Sequence, residues 1–180
     1  MAKTIQIKLT NKACQAGLLY ARKHLTTPAK DAVISCEGVC LKGETARRAA
    51  NLIAHRLAPE KAVRICHGGL LEISGGMRNL VEKADRVLIV EGCPMACGTR
   101  IVKGAFPDLK PEVVFSDKLF ELDSNLFGVD EMSETDINAN AQEVAIKILR
   151  KYFGDHLGSA GLKEKYDMAH STQSASSCGG

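Results

Sequence analysis

The chain has 180 residues, 45% of them apolar and 25% charged, the composition of one ordinary globular domain with a sizeable core. Its formal net charge of +3 is too small to mark a nucleic-acid or anionic-membrane partner, and aromatics at 4% with no Trp argue against single-strand stacking platforms. The lysine-interrupted N-terminus lacks the apolar run of a signal peptide and no segment reads as a bilayer span, so a cytoplasmic protein is expected.

Met1 to Leu9 alternates Ile5, Ile7 and Leu9 with polar residues and predicts a short edge strand. Asn11 is placed to cap a helix running to about His24, broken by Thr26-Thr27-Pro28. Ala32-Val33-Ile34-Ser35 reads as a strand ending at Cys36. Helical spacing follows over Glu44 to Leu57, at Ala46, Ala49, Ala50, Ile53, Ala54 and Leu57, with Pro59 closing it. Ala62-Val63-Arg64-Ile65 predicts a second strand, ending at Cys66. Gly68-Gly69 and Gly75-Gly76 mark turns before a helix over Met77 to Ala84. Arg86-Val87-Leu88-Ile89-Val90 predicts a third strand, ending just before Cys93. Pro94 suits a first helical turn, predicting a helix from there to about Gly104. Glu112-Val113-Val114-Phe115 is the fourth strand. Ser133-Glu134-Thr135-Asp136 reads as a capping box for a helix whose apolar face carries Ile137, Ala141, Val144, Ala145, Ile148, Leu149 and Tyr152, with Gly154 beyond its end.

Strict alternation of strand and helix predicts a three-layer α/β fold, a mostly parallel, Rossmann-like sheet with helices on both faces. The expected organisation is an N-terminal strand and helix over 1–30 packed on the core, a cysteine-rich metal-binding α/β domain over 31–155, and a flexible C-terminal tail over 156–180. The strand order is not readable from the pattern.

Seven cysteines punctuate this plan, and without an export signal they point to metal binding or redox chemistry rather than disulfides. Ligands of open α/β sheets sit beyond the carboxyl ends of the strands. Cys36, Cys66 and Cys93 follow three such ends, so they are expected to converge. Cys36-Glu37-Gly38-Val39-Cys40 and Cys93-Pro94-Met95-Ala96-Cys97 each bring a partner three residues on, a spacing that sets two thiols one helical turn apart. A helix N-terminus favours thiolates, the species that bind metals. Zinc takes four ligands in a closed site or three in an open one. The best four are Cys36, Cys40, Cys93 and Cys97, with Cys66 as a fifth candidate and His67 as a ligand or supporting donor. Cys14 has no partner and reads as core filler, and His24, His55 and His156 read as solvated. Glu91 and Asp117 fall at strand ends and are candidates to line the crevice. A phosphatase-type loop is disfavoured, because Arg47 and Arg100 each stand one residue too far from Cys40 and Cys93.

The ordered blocks Ser35-Cys36-Glu37-Gly38-Val39-Cys40, Cys66-His67-Gly68-Gly69 and Glu91-Gly92-Cys93-Pro94-Met95-Ala96-Cys97 resemble the DGC-domain family, described as zinc-binding proteins. The resemblance covers roughly Val33 to Leu149, with Glu91 standing where the family's motif has Asp. It implies zinc as cofactor, held by Cys36, Cys40, Cys93 and Cys97 with Cys66 also matching, and it implies no defined reaction.

Two other readings compete with a zinc-binding module. One is a thiol-dependent redox or transfer enzyme, with Cys93 as the candidate nucleophile. The other is an iron–sulfur protein. The metal ion is the expected partner, with a small molecule in the crevice as a further candidate. Cys178, near the C-terminus, is a candidate mobile thiol.

Overall fold

The computed structural model describes residues 8–154. Four strands, β1 (Asp31–Ser35), β2 (Ala62–Arg64), β3 (Val87–Glu91) and β4 (Glu112–Phe115), form one sheet in the order β2-β1-β3-β4, with every pairing parallel. β1 and β3 lie in the middle and are the most buried strands. Every residue of β3 is buried, as a strand covered on both faces requires.

Alternation along the strands splits the core in two. Val33, Leu88 and Val90 face one layer, while Ala32, Ile34, Val87 and Ile89 face the other. The first layer is built by α2 (Leu41–Leu52), its π-helical continuation Ile53–Leu57, and α5 (Glu134–Tyr152). Ala46, Ala49 and Ala50 let α2 lie close on the sheet, and Val144, Ala145 and Ile148 of α5 pack beside them. The second layer holds α1 (Gln15–His24), α3 (Gly76–Glu82) and α4 (Cys97–Ala105), which contribute Ala21, Leu80 and Val102. The expected three-layer α/β architecture is the one observed.

The helix after β1 therefore covers one face and the helix after β3 covers the other. β2 lies on the outer side of β1, and β4 lies on the outer side of β3. The chain departs in opposite directions from two adjacent central strands, the topological position at which ligands of open α/β sheets bind.

Several boundaries differ from expectation. The helix expected from Asn11 begins after Cys14, whose sulfur accepts the Gly17 N–H at 3.4 Å. His24, expected to be solvated, is half-buried against the Tyr20 ring at 4.3 Å, with Nδ1 lacking a partner. The Ser133 cap is present: its hydroxyl accepts the Asp136 N–H at 3.1 Å and donates to the Asp136 carboxylate at 2.6 Å. Gly154 takes the positive φ of 80° that ends α5. The strand expected over 1–9 falls almost wholly outside the described residues. Thr10 makes an isolated parallel bridge to Glu72. The tail over 156–180, with His156 and Cys178, also lies outside them. No helix among the described residues is long and apolar enough to cross a membrane.

Candidate functional site

Cys36 directly follows β1, and its N–H donates to Val90 O of β3 at 2.8 Å, so its turn starts from the carboxyl ends of these two strands. The residue is buried. Its sulfur accepts the Gly38 N–H at 3.4 Å. Burial pushes the thiol pKa up, the Gly38 and Gly92 N–H groups pull it down, and Glu91 and Cys40 push it up again; the net direction is upward.

Cys40 caps α2. Its backbone is extended, and its sulfur accepts the Gly43 N–H at 3.4 Å, taking the place an oxygen usually fills. The stretch is pinned from outside by an antiparallel bridge between Cys40 and Gly128, and Leu41 N–H donates to Phe127 O at 2.8 Å. The two sulfurs flank Gly38: a Cβ there would stand 3.3 Å from Cys36 Sγ and 3.9 Å from Cys40 Sγ.

The turn after β3 presses against this one backbone to backbone. A Cβ on Gly92 would stand 2.8 Å from Gly43 N, a contact only glycine permits. Cys93 follows and is half-buried. Pro94 does not open α4, as the sequence predicted. Ala96 adopts a left-handed conformation (φ 50°, ψ 47°) as N-cap, and Cys97 is the first helical residue, exposed to solvent. The two CxxxC segments are therefore strand-to-helix turns rather than helical turns, and Cys97, not Cys93, stands at the helix N-terminus.

Glu91 anchors that turn. It is only 1% exposed, and its Oε1 accepts both the Thr99 N–H at 2.5 Å and the Thr99 hydroxyl at 2.7 Å. A buried carboxylate thus satisfies one of the donors left over at the start of α4. Its Oε2 and the Nε2 of His67 are buried without partners. Oε1 and Nε2 would each stand 3.1 Å from a Cβ on Gly98, so both groups close on this glycine and a side chain there would press on them. Burial lowers the pKa of His67.

Cys66 follows β2 and is exposed, just before the short 3-10 turn Gly68–Leu71. Asp117 lies in the 3-10 turn Ser116–Lys118 after β4 and faces Lys42 at 3.7 Å. Among the described residues no three His, Cys, Asp or Glu side chains form a group able to hold a metal ion. The structure sets the Cys36 and Cys40 sulfurs beside Gly38, while Cys66 and Cys93 lie in the turns after β2 and β3 and Cys97 opens α4.

One participant that sequence reasoning missed is Arg64, the last residue of β2. It donates to Asn51 Oδ1 at 2.9 Å, to Ile65 O and Ser35 Oγ at 2.5 Å each, and to the carboxylate of Glu37, so it ties β2 to the Cys36 turn. An arginine inside an apolar strand was the available signal.

Fold and site together define a parallel α/β protein with cysteines in the turns at the switch point of its sheet. Residues 32–144, more than half of the chain, match the family model described as the DGC domain, and the chain belongs to that family. No curated protein and no solved structure matches it.

Proposed function

We propose that this protein binds a soft metal ion, zinc foremost, through thiolates at the carboxyl edge of its sheet. Cys36 and Cys40 form the anchoring pair, and the remaining ligands come from Cys66, Cys93 and Cys97. The observation that carries the reading is the convergence of the Cys36 and Cys40 sulfurs on Gly38, each accepting a backbone N–H. Such N–H groups stabilise sulfur in its anionic form; at Cys36 burial outweighs them, so its thiolate forms as the metal binds and displaces the proton. Thiolate donors select soft metals. The donor chemistry fits zinc; among the described residues no three candidate ligands stand together, so completing the set requires the adjoining turns to close on Cys36 and Cys40. A cytoplasmic setting, which keeps thiols reduced, suits such a site.

A second reading, a thiol-dependent redox or transfer protein, draws on the same pair, because two sulfurs beside one glycine also suit a reversible dithiol. Elemental analysis of protein purified anaerobically without an affinity metal column separates the two. The metal reading expects about one zinc per chain, lost in Cys36→Ser/Cys40→Ser. Iron in place of zinc would point to a cluster. No metal at all, with one thiol alkylated far faster than the rest, would transfer the case to the redox reading.

A further inference from the structure

A concavity lies beside the Cys36 turn, at the carboxyl end of β2. It is an open cleft of about 490 Å³, within the size range of small-molecule sites. Its apolar wall is made by the Tyr20 ring and the edge of Met77, with Ile65 fully buried behind them, and its polar side by Arg47, Arg64 and His55. His55 is carried there by the π-helical turn Ile53–Leu57, a local widening that often accompanies functional positions. The Tyr20 hydroxyl is buried in the wall with no hydrogen-bond partner. Arg47 spends Nε and Nη2 on Glu44, at 2.7 and 2.6 Å, which leaves its Nη1 edge over.

Glu37 is the one acidic side chain lining the cleft among the described residues. Its Oε1 accepts from both the Arg64 guanidinium and the Ser35 hydroxyl. Arg64 is itself fixed by Asn51 and by the carbonyl of Ile65. A rigid guanidinium, a hydroxyl and a carboxylate on an exposed, flexible stem make an anion site filled from within the chain.

We propose that this cleft binds a small carboxylate with an apolar body, whose head group replaces Glu37 on Arg64 and Ser35 while Arg47 and Tyr20 supply further donors. The body lies on the Tyr20 ring and the edge of Met77. Because Glu37 sits between Cys36 and Gly38, its release frees the turn that carries the thiol pair, so the ligand reports on the same turn that a metal would hold.

The test titrates benzoate, and its neutral isostere benzamide, into the reduced, metal-free full chain by 1H–15N NMR, whose spectrum also shows that each variant is folded. Benzoate should give saturable shifts at Asn51, Ile65 and Gly68, and benzamide should bind far more weakly. Arg47→Gln and Tyr20→Phe should each weaken benzoate, while Glu37→Gln should strengthen it about tenfold by removing the internal competitor. No saturable shift with benzoate, equal binding of benzamide, or a Glu37→Gln variant that binds no better would overturn the proposal. None of these readouts depends on metal content.

Discussion

At the scale of single residues, the site is shaped by groups in places their chemistry ordinarily avoids. Ala96 holds a left-handed backbone, which costs a residue with a Cβ roughly 1 kcal/mol. Ala96→Gly should therefore raise stability by up to about 1 kcal/mol in chemical denaturation, less the entropy that glycine adds to the unfolded chain. A clear loss of stability would mean that the alanine methyl has packing worth more than the strain. Glu91 is the other case. A carboxylate at a strand end reads from sequence as a solvated or crevice-lining group, and nothing in the pattern says that it is fully buried. What buries it is tertiary: α4 starts late enough for Thr99 to reach back, and Gly98 leaves room for His67. The cysteines stand out in the sequence because three follow strand ends and two more, Cys40 and Cys97, stand a short turn further on. That the Cys36 and Cys40 sulfurs both lie close to Gly38 is a property of the folded turn that the spacing alone does not give.

Among the elements, the strands were the most legible, since continuous apolar runs bounded by polar turns leave few alternatives. Helix beginnings were less so. Pro94 fits a first turn, but the local preference lost to a longer strand-to-helix turn. The π-helical end of α2 leaves no mark in a pattern of period 3.6, because Ile53, Ala54 and Leu57 are buried in either geometry. α2 and α5 are joined at the surface by a charge network: Glu44 accepts from Arg47 and Arg48, and Arg48 reaches Glu134 and Asn138. Hydrogen bonds from Arg47, opposed by burial and assisted by Arg48, hold the Glu44 carboxyl below its ordinary 4.5. A depressed folded-state pKa gives stability that is present above the unfolded value and lost as pH falls through the folded one. Glu44→Gln should cost roughly 1–3 kcal/mol at neutral pH. It should also flatten the decline in stability below about pH 4.5 that the parent shows. Equal acid sensitivity in both proteins would show that the network contributes nothing there.

For the whole molecule, the decisive feature is the strand order, which no local signal contains. Alternating strands and helices are compatible with many orders. Only with β1 and β3 adjacent, and with α2 and α4 on opposite faces, does the Cys36 turn meet the Glu91-Gly92-Cys93 turn. The same arrangement places β2, and with it Arg64 and Cys66, on the flank, so the basic cleft reaches the Cys36 turn through Glu37. A metal held by the Cys36–Cys40 turn would fix that segment, and a carboxylate in the cleft would release it.

Cobalt(II) substitution is the sharpest test that the Cys36–Cys40 pair anchors a thiolate metal site. Anaerobic titration of the reduced protein should produce thiolate-to-cobalt charge-transfer absorption together with the visible bands of a tetrahedral ion, saturating at about one cobalt per chain and reversed by zinc. Cys36→Ser and Cys40→Ser should each abolish the charge-transfer signal or reduce it in step with the lost sulfur. A folded, fully reduced parent that takes up no cobalt, or a charge-transfer signal that survives loss of both residues, would contradict the claim.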